Sequence, residues 1–166
     1  MRTISKVVLG FAAAAMLVTV NANAQSQTGS VTASAVVQQP INVTGAVNLA
    51  FGNVFPGVAK TITVAAATAG RFDVTGQAST PVLISFVLPA NLTSGANNLP
   101  IGTWTGHHNT VNAPAGGTNF TPSAATTNST FSGTGTLFVF VGATVTPATN
   151  QVAGTYNGTV QMTVTY

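Results

Sequence analysis

The sequence predicts an all-β fold, a sandwich of immunoglobulin type, and three observations point to it. Beyond residue 24 apolar positions recur with a period of two, the spacing of half-buried strands. Gly, Pro, Thr and Asn return every few residues, so no run is left long enough for a helix. The candidate strands are short and evenly spaced, which suits a sandwich better than a large barrel.

The chain opens with Arg2 and Lys6, an apolar run over 7–20 and the small-x-small triplet Ala22-Asn23-Ala24. This is the layout of a secretory signal peptide over 1–24, cleaved after Ala24. The run is shorter than the ~20 residues of a membrane span, so an uncleaved anchor is not expected. Without the leader, Lys60, Arg71 and Asp73 are the only charged side chains. That leaves no basic patch for nucleic acid and no polybasic signal for a membrane surface. The chain has no cysteine, so an exported domain must be held by its core alone. A surface with so few charges repels copies of itself weakly, which is compatible with an assembled subunit.

The first expected strand is 30–37, with Val31, Ala33, Ala35 and Val37 on one face and Thr32, Ser34 and Gln38 on the other; Val36 is the exception. Gln39-Pro40 interrupts it, because proline cannot donate a ladder hydrogen bond. Residues 25–39 therefore read as an N-terminal extension and 40–166 as the domain proper. Within the domain, strands are expected at 41–44, 47–54, 60–66, 72–76, 81–88 and 134–141. Residues 89–128 are rich in Asn, Gly, Pro and Thr and read as loops with one or two short strands, with Trp104 their largest apolar residue.

The last strand, 156–166, alternates most clearly. Tyr156, Val160, Met162, Val164 and Tyr166 lie on one face, and Asn157, Thr159, Gln161, Thr163 and Thr165 on the other. Gly158 keeps the phase, so one continuous strand is preferred to a hairpin at Asn157-Gly158. A last strand must pair with a neighbour already placed or with another molecule. Its expected partner is 30–37, from this chain or the next; both choices satisfy the same hydrogen bonds.

Catalysis is not expected, and no catalytic residue is assigned. Asp73 is the only carboxylate side chain, whereas a glycosidase of the usual kind needs two. A Ser-His-Asp set could draw on Asp73 with His107 or His108, but no nucleophile motif accompanies them. The two histidines read as solvent-facing loop residues. On a strand they would point to opposite faces and converge poorly on a metal, so no metal or cofactor is assigned. The N-x-Ser/Thr triplets at Asn42, Asn91, Asn119, Asn128 and Asn157 follow from composition.

Four stretches carry a resemblance: Pro40-Ile41-Asn42-Val43-Thr44; Leu49-Ala50-Phe51-Gly52-Asn53-Val54 with Gly57; Gly70-Arg71-Phe72-Asp73-Val74-Thr75-Gly76; and Gly154-Thr155-Tyr156-Asn157-Gly158 leading to Val164-Thr165-Tyr166. In this order, with an alternating segment at each end, the chain resembles chaperone–usher pilins, and among them the secreted pilin-like domains near spore coat protein U. The resemblance implies a pilin-type sandwich lacking its final strand. Its groove would be filled first by a periplasmic chaperone and then by the extension of the next subunit, delivered through an outer-membrane usher. Carried onto this sequence, the donor is Val31, Ala33, Ala35 and Val37, and the acceptor edge is Val160, Met162, Val164 and Tyr166. The chain departs from many such pilins in having no disulfide, in ending on its aromatic residue and in a donor face with two alanines.

The expected function is therefore a structural subunit of an extracellular fibre or surface coat. It would reach the cell surface through the periplasm of a Gram-negative bacterium, with copies of itself or related subunits as partners. Two other readings compete. One is an adhesin or carbohydrate-binding domain using Trp104, His107 and His108 as a shallow platform. The other is a small outer-membrane barrel, which short strands without a sustained apolar band do not favour.

Overall fold

A computed structural model of the protein describes residues 25–166; the expected leader lies outside them. The chain divides into two units after Val36, and the folded domain is Val37–Tyr166. Residues 25–40 belong to no strand, and Val31, Val36 and Val37 are each more than nine-tenths exposed. The strand expected at 30–37 is thus not formed. Its small side chains offer little apolar area, and an isolated strand has no ladder to stabilise it.

The domain has ten strands and is all-β: β1 (Asn42–Val47), β2 (Lys60–Ile62), β3 (Gly70–Thr75), β4 (Pro81–Val87), β5 (Asn91–Ser94), β6 (Asn97–Asn109), β7 (Thr118–Phe120), β8 (Thr127–Thr130), β9 (Thr136–Val145) and β10 (Gln161–Thr165). They form two open antiparallel sheets. The larger runs β1-β3-β9-β6-β5, with β2 also on β9 and β7 also on β6; the smaller runs β10-β4-β8. Neither sheet closes, so the described strands make a sandwich and not a barrel.

The sheets face each other through alternate residues, as strand periodicity requires. Leu137, Val139 and Val141 of β9 and Val74 of β3 meet Val82, Ile84 and Phe86 of β4 and Val164 of β10, all in one buried cluster. Phe72 and Phe86 join the sheets edge to face, with ring centroids 6.3 Å apart. A second cluster, Leu99, Ile101, Ala143 and Val145, lies wholly on the larger sheet. Trp104 packs against both clusters.

The principal correction concerns 89–128. This stretch holds β5, β6 and β7 and the start of β8, and β6 is the longest strand of the domain at 13 residues. Its alternation is hidden by a bulge. Gly102 pairs with Thr144 but Thr105 with Gly142, and Thr103 sits at φ 47°. One extra residue reverses the facing of everything after it. Leu99 and Ile101 point inward before the bulge, whereas Gly106 and His108 point inward after it.

Three expected strands are shorter than predicted, and the one expected at 60–66 forms only over Lys60–Ile62. Past Val47 the stretch 48–54 is not a strand, and Ala50 N–H instead bonds the Thr68 carbonyl at 3.0 Å. The expected 156–166 strand is reduced to Gln161–Thr165. Asn157 leaves its line by exchanging both backbone hydrogen bonds with Thr93, at 2.8 and 2.9 Å. Gly158 lies so close to Leu92 that an added Cβ would stand 2.7 Å from Cδ2.

Candidate functional site

The smaller sheet is shorter than the larger one. Its strands have 5, 7 and 4 residues, against 13 and 10 for β6 and β9. The ends of β6 and β9 therefore overhang it, and the second cluster has no facing strand. Irregular segments stand there instead: Leu49, Phe51 and Val54 on one side and Tyr156 on the other. Between them runs a cleft of about 740 Å³ with an apolar floor, Leu99, Ile101, Val141 and Val145, and walls of mixed polarity drawn from Val47–Val54 and Gly154–Val160.

Unpaired backbone flanks this cleft. β1 pairs only with β3 and β10 only with β4, so each is an edge strand among the described residues. Such an edge presents N–H and C=O groups ready to accept another strand. β1 is exposed over all but its last residue, with Val43 36% accessible.

The four residues predicted for the acceptor edge divide. Val160 lines the cleft. Met162 and Val164 point inward as expected, opposite Phe86 and Ile84 of β4, but belong to the first cluster. Tyr166 lies at the far end, its ring against Phe131. Its hydroxyl donates to the Gln39 carbonyl and accepts the Gln77 N–H at 2.8 Å, and Gln39 N–H reaches Gln77 Oε1 at 3.2 Å. This fixes the root of the extension to the end of β10. The donor residues Val31, Ala33 and Ala35 lie in the preceding unit, outside any strand.

Sequence reasoning missed the floor of the cleft. Leu99 and Ile101 do alternate with Asn98, Pro100 and Gly102, but those neighbours read as turn formers. Leu49, Phe51 and Val54 appear in the family resemblance, as a strand and not as a wall.

Trp104, His107 and His108 do not form the exposed platform. Trp104 is half-buried between the clusters. The histidines are strand residues and point to opposite faces, so their reading as solvent-facing loop residues is corrected. His107 is 4% exposed on the outer face of the larger sheet, beside Phe140, and its Nδ1 donates to Asn119 Oδ1 at 2.7 Å. His108 faces inward, beside Phe120, with Nδ1 3.0 Å from Ser129 Oγ on the smaller sheet. Burial, and then the charge of His107, hold the His108 pKa below its ordinary value. The Nε2 of each ring is buried without a hydrogen-bond partner among the described residues.

The charged groups are engaged locally. Arg71 holds Asp73 through Nε–Oδ1 at 2.8 Å and a second bond at 3.2 Å, and Lys60 Nζ donates to the Asn53 carbonyl at 3.0 Å. Asp73 makes no hydrogen bond to either histidine, so these residues are not arranged as a triad. What the site offers is an apolar floor between mixed walls, with free strand edges beside it. No curated protein matches the sequence. Over residues 41–166, from the start of the domain through both walls and the floor of the cleft, the chain matches and belongs to the family described as Domain of unknown function (DUF4402).

Proposed function

We propose that the protein is a structural subunit of an extracellular fibre or surface coat, assembled by β-strand complementation. One observation carries this reading: a cleft with an apolar floor, open between segments that adjoin two unpaired edge strands, in a chain whose exposed extension alternates as a strand should. An inserted strand would gain ladder hydrogen bonds from a free edge and seat alternate side chains on Leu99, Ile101 and Val145. The occupant is the extension of another copy or of a related subunit. Because donor and acceptor are different surfaces, such contacts repeat head to tail and give an open fibre.

The resemblance to chaperone–usher pilins supports the same reading. It adds export by the leader, transient cover of the cleft by a periplasmic chaperone and passage through an outer-membrane usher. The scarcity of charge favours close packing of many copies.

Deleting 25–37 tests the proposal. The full mature chain should form multimers that resist detergent at room temperature and separate on boiling. The deleted chain should stay monomeric and bind a synthetic peptide of the missing segment. Monodisperse monomers of the undeleted chain would overturn the reading.

A further inference from the structure

We propose that the turn Phe55-Pro56-Gly57-Val58, together with Val152, seats the body of a second copy of this chain beside the cleft. The inference rests on the strand-complementation reading and extends it to a second contact and a direction. Phe55, Val58 and Val152 are 68%, 58% and 54% exposed. All three adjoin the cleft walls in sequence. The turn continues one wall of the cleft beyond Val54, and Val152 precedes the other wall at Gly154.

This rim is held rigid. Gly57 has φ 75°, as the third position of a Pro-Gly turn requires. Val58 N–H bonds the Phe55 carbonyl at 3.1 Å, and Gly57 N–H bonds the Ala148 carbonyl at 3.0 Å. An added Cβ on Gly57 would stand 3.3 Å from Thr149 Cγ2. Two large apolar side chains are therefore held out in water by a braced loop, at one end of the domain. An exposed apolar surface continuous with a binding groove marks an interaction site.

The length of the extension identifies what covers it. If 31–37 of a neighbour fill the cleft, only Gln38 to Ile41 remain before that neighbour's β1 begins at Asn42. Four residues span about 13 Å at most when extended. The neighbour's body must then press against whichever end of the cleft its strand leaves. The opposite end is closed, because Phe86 of β4 and Met162 and Val164 of β10 cover the larger sheet at Val141. The rim lies at the free end. The neighbour therefore sits on Phe55, Val58 and Val152, and its extension runs antiparallel to β10.

The absence of cysteine allows a clean test by introduced thiols. Full-length chains carrying Gln38→Cys are mixed with chains carrying Val58→Cys at the rim, or Val111→Cys, an exposed site at the Tyr166 end. Multimers are then oxidised and run without reductant. The Gln38–Val58 pair should cross-link about tenfold more than the Gln38–Val111 pair, because the seat raises the local thiol concentration. In a second measurement, Phe55→Ser should leave monomer unfolding unchanged and lower the temperature at which multimers separate in detergent. Equal cross-linking of the two pairs, preference for Val111, or multimers unaffected by Phe55→Ser would overturn the seat while leaving strand complementation standing. Failure of every chain to form multimers would overturn both.

Discussion

The two apolar clusters are built from the same strands and finished differently. At the Tyr166 end, Leu137, Val139 and Val141 of β9 are covered by β4 and β10, strand over strand. At the other end, Ala143 and Val145 of that same strand are covered by segments that are not strands. The inward face of β9 stays apolar from Leu137 to Val145, so the difference lies mainly in its cover. A sandwich whose sheets differ in length leaves part of the longer one unmatched. That unmatched part is where the proposed extended partner would gain most.

Truncating each cluster should separate the two ends most strongly. Leu137→Ala, in the closed cluster, should cost about 2–5 kcal/mol of unfolding free energy. Leu99→Ala, at the floor of the cleft, should fall at or below the low end of that range, because its new void joins a cleft already open. Urea unfolding measures both, and equal losses would erase the distinction.

The junction between the clusters is the next place to press. A Cβ on Gly142 would lie 2.4 Å from the Ile62 carbonyl oxygen and 2.7 Å from Thr105 Oγ1. Gly142→Ala should force β2 or β6 away from β9, at about 1–3 kcal/mol. Peptide binding in the cleft should weaken with it, while the Phe72–Phe86 contact in the closed end persists; aromatic NMR shifts would report that contact.

Acid should loosen the closed end first. His108 is held neutral by burial and by His107, so its folded pKa lies below the ordinary 6.5. As pH falls through 6.5, the unfolded chain takes up a proton that the folded chain resists. Its contribution to stability is therefore flat above that pH and declines below it. A urea midpoint falling between pH 7 and pH 5, with a smaller fall in His108→Gln, checks the sign.

The smallest effect is expected at Tyr166. Tyr166→Phe removes one donor and one acceptor at the surface and should cost about 1 kcal/mol. The Gln77 amide should then exchange its hydrogen faster, with no change in the cleft.

The closed end was legible in the sequence because its strands keep phase. Val82, Ile84 and Phe86, and Leu137, Val139 and Val141, alternate without interruption and meet as alternation requires. The cleft end was not legible, for two physical reasons. The bulge at Thr103 reverses the facing of β6 midway, so no single period describes 97–109. The alternation of 156–166 is genuine as far as Val160, but Asn157 finds its backbone partner in Thr93, a contact that local pattern cannot contain. The histidines went astray with β6, since a strand hidden as a loop makes its residues look solvent-facing.

The Tyr166 phenol ties Gln39 to the end of β10 and to Gln77, which follows β3. A pull on the extension would otherwise enter the domain through β1 alone, an edge strand on a single ladder. With the phenol in place, tension at Gln39 divides between the two sheets before any ladder is peeled. Tearing the chain away at that point requires shearing both layers together.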